Sequence, residues 1–165
     1  MNISEDILHR INNDHEKIGQ LLLQYTSLTE KQLEEALRIQ EDSGRMIGEI
    51  LLTKNYIHPH DIVRVICHQI NIPYIADINV DDIDPATVND IPINYAKHHE
   101  VLPIYLTDSE VDIVLTDPFN FDVVNDLQEV FKRKVNLIVS SPLKVADAIN
   151  KVYERANRNL VDSLE

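Results

Sequence analysis

Ile18-Gly19-Gln20-Leu21-Leu22-Leu23 returns 29 residues later as Ile47-Gly48-Glu49-Ile50-Leu51-Leu52. Carried on at the same offset, Leu28 meets Ile57, Leu33 meets Ile62, Leu37 meets Ile66 and Gln40 meets Gln69. Five of the 23 aligned positions are identical, and most periodic apolar positions keep an apolar residue. Self-similarity at a fixed period marks one supersecondary unit used twice.

Each copy reads as helix–turn–helix. Ile18, Leu21, Leu22 and Tyr25 follow the i, i+3, i+4, i+7 stripe of a buried helical face. In copy one, Thr29 and Gln32 form a capping box for the second helix, flanked by the apolar pair Leu28 and Leu33. In copy two, Pro59 takes the first helical position, where its missing N–H costs nothing, and Ile57 and Ile62 make the apolar pair. The spacing puts Leu33, Ala36, Leu37 and Gln40 on one face, and Ile62, Val65, Ile66 and Gln69 on its counterpart. Ile3 to Ile11 reads as a short extra helix ahead of both.

Further along, the period changes. Val101 to Leu106 and Val111 to Leu115 are β-rich runs around Thr107-Asp108-Ser109-Glu110, a hairpin signal. Val123, Val124, Leu127, Val130 and Phe131 give a helical stripe, and Val135 to Val139 a third strand. Ser141-Pro142 opens a last helix with Val145, Ala148, Ile149, Val152 and Tyr153 facing inward. The expected class is α+β: a duplicated helical half followed by a small β-β-α-β-α layer.

Charge marks the boundaries. Net charge is −4 over residues 1–72, −10 over 73–133 and +1 over 134–165. The acidic middle holds Asp77, Asp81, Asp82 and Asp84 among Pro73, Pro85 and Pro92. The division expected is a helical subdomain over 1–72, a connector with short helices over 73–100, an α/β subdomain over 101–156 and a tail over 157–165.

Composition excludes several functions. The 165 residues carry a formal charge of −13, which phosphate backbones repel, so nucleic-acid binding is not expected. Cys67 is the only cysteine, so neither a disulfide framework nor a cysteine-based zinc site can form within the chain. No apolar run reaches the length of a membrane span, and the first residues open no signal peptide. A cytosolic chain is the expectation.

The repeat and its sequel resemble a known family. The doubled Gly-x-x-Leu-Leu … Leu/Ile … Gln unit is similar to the MshEN-type N-terminal domain of type II secretion and type IV pilus assembly ATPases. Leu102-Pro103-Ile104, Asp112-Ile113-Val114-Leu115, Thr116-Asp117-Pro118 and Ala148-Ile149-x-x-Val152-Tyr153 resemble the α/β part of that region. The resemblance spans residues 17 to 154. It implies a domain that precedes a hexameric motor, docks on the cytoplasmic part of the inner-membrane platform protein and so sits peripherally on that membrane. It also implies that the duplicated unit binds cyclic di-GMP in some members. The three glycines, Gly19, Gly44 and Gly48, open no Gly-x-x-x-x-Gly-Lys-Ser/Thr loop, so any motor lies in a downstream ATPase domain outside these residues. A cut-out of a longer ATPase and a stand-alone version are both open readings.

For cyclic di-GMP the resemblance nominates Lys17, Ile18, Gly19, Leu22, Arg38, Arg45, Ile47, Gly48 and Leu51. Binding members show Arg-Leu-Gly at the head of each copy and a glycine seven residues after that one. Here the heads are Lys17-Ile18-Gly19 and Met46-Ile47-Gly48, with Arg45 one residue early, and the later positions are Thr26 and Asn55. Guanidinium forks stack on guanine and pair with phosphate, and lysine lacks that planar fork. The leading expectation is therefore a non-catalytic docking and regulatory module, with a cyclic di-GMP sensor as the alternative. Tyr25 and Tyr56, amphipathic and near the unit turns, are the nominated docking anchors.

No catalytic or metal constellation is expected, and no cofactor. His58-Pro59-His60 and His98-His99-Glu100 lack further ligands at useful spacing. Asp108, Asp112 and Asp117 fall around a hairpin and a turn, where aspartate serves the backbone. Cys67 and His68, adjacent on a helix, do not face each other as a nucleophile and base. Lys132-Arg133-Lys134 reads as a solvated helix end, and its alternative is contact with an acidic partner.

Overall fold

Gly44 closes the first repeat with a left-handed backbone, φ 71°, its N–H donating to the Gln40 carbonyl. Glycine reaches that conformation without steric cost, so the chain can turn sharply into the second copy. The computed structural model describes residues 18–164, which fall into two units, 18–71 and 72–164. Lys17 and the segment from Ile3 to Ile11 lie outside the described residues.

The first unit holds α1 (Ile18–Tyr25), α2 (Glu30–Ser43), α3 (Ile47–Thr53) and α4 (Pro59–Gln69). The Thr29 hydroxyl accepts the Gln32 N–H at 3.2 Å, and the Gln32 amide oxygen accepts the Thr29 N–H at 3.0 Å. That reciprocal box satisfies two donors that helix geometry leaves without partners. At α4 the Asp61 carboxylate takes the His58 N–H at 2.9 Å, ahead of Pro59. The copies interlock: α1 packs against α4 and α2 against α3. Leu21, Leu22, Leu28, Leu33, Ala36, Ile50, Leu51, Ile57 and Val65 form one shared core. Leu37, which the spacing puts on the inner face, is instead 43% exposed. Four short helices cannot enclose every residue of a stripe wider than their contact.

In the second unit, two 3₁₀ turns (Val80–Asp82 and Pro85–Val88) lead to α5 (Ile93–His99). Then come β1 (Val101–Leu106), β2 (Glu110–Leu115), α6 (Phe121–Phe131), β3 (Lys134–Val139) and α7 (Pro142–Leu164). The sheet order is β1-β2-β3, β1 antiparallel and β3 parallel to β2, with α6 as the crossover a parallel pair requires. Val111, Ile113 and Leu115 pair with Val135, Leu137 and Val139, and all six are buried. The opposite face carries Glu110 and Asp112, both accepting from the Asn136 amide at 3.0 and 2.8 Å. Pro103 and a register shift before Tyr105 disrupt β1, which blunts the edge against further pairing.

Residues 73–100, expected as a connector, are built into this unit. Tyr74 bridges Val139 in parallel, with the Ile75 N–H on the Val139 carbonyl at 2.9 Å and the Val139 N–H on the Pro73 carbonyl at 2.8 Å. The Tyr153 hydroxyl donates to the Ile91 carbonyl at 2.6 Å, and the Thr87 hydroxyl to that of Pro103 at 2.9 Å. Residues 157–164, set apart as a tail, continue α7 to Leu164. The inward stripe of α7 is as the spacing predicts: Val145, Ala148, Ile149, Val152 and Tyr153 are all buried.

Candidate functional site

The heads of the two repeats are packed in the same way. A Cβ added to Gly19 would lie 3.2 Å from Cδ1 of Leu33, and one added to Gly48 would lie 3.3 Å from Cδ1 of Ile62. Leu33 and Ile62 are themselves equivalent at the 29-residue offset. Each glycine therefore lets a lead helix close onto the second helix of its own copy. Leu22 and Leu51 have no exposed surface, and Ile18 and Ile47 are half-buried against the same core.

The nominated cations behave differently. Arg45 is exposed, with Nε and Nη2 on Glu49 Oε1 at 3.2 and 3.0 Å and Nη2 on the Thr53 hydroxyl at 3.2 Å. Arg38 is exposed on α2, where its charge adds weakly to the field at Glu35. Lys17 lies outside the described residues. Among the described residues, then, Ile18, Gly19, Leu22, Ile47, Gly48 and Leu51 belong to the packed helical core, while Arg38 and Arg45 lie on its surface.

The turn positions after each lead helix use unlike chemistry. Asn55 takes the left-handed conformation, φ 57°. Thr26 instead donates its hydroxyl to the Leu22 carbonyl at 2.6 Å and accepts the Leu28 N–H at 3.2 Å. A β-branched residue avoids positive φ, so the hydroxyl supplies the turn.

Two polar ties across the copies carry no motif. Tyr56 donates to Glu35 at 2.6 Å and Lys54 at 2.9 Å, so one carboxylate joins α2 to the turn after α3. The Tyr56 hydroxyl first, then the Lys54 ammonium, hold Glu35 below the usual carboxylate range. Glu35 in return pushes both Lys54 and Tyr56 up. On the other pair, the Tyr25 hydroxyl lies 3.3 Å from His68 Nε2, with the rings 4.6 Å apart. Both nominated anchors, Tyr25 and Tyr56, are thus half-buried internal ties. Only a signal between residues 21 or 43 apart could have found them.

Elsewhere the polar groups serve the backbone and the fold. Asp117 accepts the Phe119 N–H at 2.8 Å. Lys132 caps α6 at φ 51°, Arg133 donates to the Phe131 carbonyl at 3.2 Å, and Lys134 pairs with Glu110 at 3.7 Å. Cys67 is buried. His98 and His99 meet edge to face at 4.7 Å, and the Tyr95 and His99 rings, tilted by 50°, lie 4.4 Å apart. The Tyr95 hydroxyl donates to Asp126 at 3.3 Å; burial first, and Asp126 second, push its pKa up to about 12. Among the described residues, no three His, Cys, Asp or Glu side chains converge as a metal site. Nor, among them, is any helix long and apolar enough to cross a membrane.

The helical unit is duplicated and interlocked, and a small α/β unit follows it in sequence. The family model of the MshEN domain matches residues 70–159, and the chain belongs to that family. The match covers most of the α/β unit and falls largely within residues 17–154, the span over which the sequence resembles that family. The chain is 24% identical over 146 residues to the type IV pilus assembly ATPase PilB of Myxococcus xanthus. It is 27% identical over 142 residues to PilB of Thermus thermophilus. These alignments take in 88% and 86% of this chain but only 26% and 16% of those proteins. Bacteriophage adsorption protein B of Escherichia coli (strain K12) aligns at 24% identity over 84% of this chain and 18% of its own length. Among solved structures, MshE with cdg (cyclic di-GMP) superposes with a TM-score of 0.57 at 20% identity, covering 84% of this chain and all of that one. The N-terminal domain of XpsE gives 0.54 at 17% identity, covering 81% and 91%. Both likenesses show the fold.

Proposed function

We propose that this chain is a non-catalytic docking and regulatory domain of a secretion or pilus assembly ATPase. It binds the cytoplasmic part of the inner-membrane platform protein and passes its position to an ATPase domain downstream. One observation carries this choice over ligand sensing: the repeat heads are spent on packing. Gly19 and Gly48 admit the side chains of Leu33 and Ile62, and Leu22 and Leu51 have no exposed surface to offer. The family membership and the PilB relatives supply the ATPase context. The chain works on the cytoplasmic side, reaching the membrane through its partner.

The alternative is a cyclic di-GMP sensor, favoured by the fold shared with MshE, which was solved with that ligand. In that reading Lys17, Arg38 and Arg45 hold the phosphates and guanines beside the two lead helices. Unfolding the chain with and without cyclic di-GMP, followed by calorimetric titration, separates the two. Ligand at a hundred times its Kd stabilises by about 2.7 kcal/mol. The docking reading expects no shift at millimolar cyclic di-GMP and a saturable complex with the platform's cytoplasmic region. A ligand-dependent shift that Arg45→Ala removes would establish the sensor instead.

A further inference from the structure

Lys97 and Glu100 stand three residues apart where α5 ends, and both line one groove, yet they do not pair. Among the described residues, the Lys97 ammonium has no hydrogen-bond or ion-pair partner, and neither has the side-chain amide of Asn150 across the groove. Both lysines of α7 are engaged, by contrast: Lys144 with Asp77 at 2.8 Å and Lys151 with Asp147 at 2.8 Å. Ala146 and Ile149, on the same side of α7 as Asn150, supply the apolar lining. The cavity measures about 290 Å³, at the small end of ligand pockets, which run from about 300 to 1,000 Å³. It suits a small metabolite and not a dinucleotide.

The carboxylate is held in place from behind. Glu100 closes α5 in the left-handed conformation, φ 54°, where glycine or asparagine would fit at less cost. Its Oε2 accepts the hydroxyl of Thr116 at 2.7 Å, and Thr116 is only 6% exposed. A buried donor therefore orients the carboxylate and leaves its second oxygen unclaimed. Three polar functions thus line the groove: a cation, a fixed anion, and an amide that both donates and accepts. They call for a carboxylate against Lys97 and Asn150 and an ammonium against Glu100, close together in one molecule. A phosphate or dicarboxylate would meet Glu100, and a diamine Lys97, as a like charge. The apolar lining calls for an aliphatic chain.

We infer that this groove of the α/β unit binds a free α-amino acid with an aliphatic side chain. Lys97 and Asn150 take its carboxylate, Glu100 takes its ammonium, and the side chain lies along Ala146 and Ile149. The site lies outside the unit that holds the repeat heads, so its ligand is independent of cyclic di-GMP.

Calorimetric titration of the chain with L-leucine tests the assignment. Leucine binds saturably at millimolar or lower concentration, and ¹H–¹⁵N spectra show the perturbed amides among Lys97, Glu100, Ala146, Ile149 and Asn150. Leucinamide, which lacks the carboxylate, and 4-methylpentanoate, which lacks the amine, each bind at least about tenfold more weakly, the worth of one charge-assisted hydrogen bond. Lys97→Met weakens leucine by a similar factor and does not weaken leucinamide. Glu100→Gln, whose amide oxygen still accepts from Thr116, weakens leucine and does not weaken 4-methylpentanoate. Asn150→Ala, on the exposed side of α7, weakens leucine as well and guards against an effect on folding at Glu100. No heat with alanine, valine or leucine at millimolar concentration overturns the inference. Leucine binding that none of the three variants weakens overturns it too, as do perturbed amides confined to residues 18–71.

Discussion

Leu33 packs tightly over Gly19, its Cδ1 lying 3.2 Å from where a Cβ on that residue would stand. Ile62 repeats the relationship at Gly48, 3.3 Å away. Gly19→Ala and Gly48→Ala should each change stability by no more than about 1 kcal/mol, because alanine's better helix propensity offsets a side-chain tip that yields a few tenths of an ångström. Valine at either position overpacks the interface and should cost about 1–3 kcal/mol by urea unfolding. If the glycines instead serve a ligand, the alanine variants would leave stability intact and abolish binding of cyclic di-GMP.

Asn55 sits at φ 57° and Thr26 holds its turn through its hydroxyl. Asn55→Gly should therefore be neutral or mildly stabilising, and Asn55→Val should cost about 1–2 kcal/mol, the penalty for a branched residue in the left-handed region. Thr26→Val, which removes the hydroxyl and keeps the shape, should cost about 1 kcal/mol. Thermal unfolding of the three variants checks the asymmetry between the copies.

The Glu35–Tyr56–Lys54 tie makes the helical unit pH-sensitive at both ends. Glu35 titrates lower when folded, so its contribution is present above the ordinary carboxylate pKa of 4.5 and is lost as pH falls through the depressed value. Lys54 and Tyr56 titrate higher when folded, so theirs are present below 10.5 and 10.0 respectively and are lost as pH rises through the raised values. Glu35→Gln should flatten the acid limb of a stability–pH curve and reduce the alkaline one. An unchanged acid limb would mean that the tie does not form in solution.

Tyr153 lies buried with its hydroxyl on the Ile91 carbonyl, and burial pushes its pKa up to about 12. The α/β unit should lose stability as pH rises from about 10, where the unfolded tyrosine ionises, to about 12. Tyr153→Phe removes that dependence and leaves the Ile91 carbonyl without its donor, a cost of about 1–3 kcal/mol. Near-ultraviolet circular dichroism during alkaline titration follows both effects.

Local rules made much of this fold readable. The Thr29–Gln32 box, the hairpin at Thr107–Glu110 and the five inward residues of α7 each follow from a short-range pattern that no distant contact opposes. What stayed hidden depends on distance in the chain. Pro73 to Ile75 is too short to show a period, and its pairing partner Val139 lies more than sixty residues away. Tyr56 finds Glu35 only after the copies interlock. Leu37 and Val130 fit their helical stripes yet emerge 43% and 47% exposed, since periodicity gives a face but not the width of its cover. The repeat heads were legible as positions, but their packing role required Leu33 and Ile62 to be placed opposite them.

The most direct test of the proposed docking is fluorescence anisotropy of the labelled chain titrated with the cytoplasmic region of the proposed inner-membrane platform partner, with and without cyclic di-GMP. The account predicts a saturable one-to-one complex whose affinity the dinucleotide leaves unchanged. No complex, or one that forms only when cyclic di-GMP is present, would contradict it.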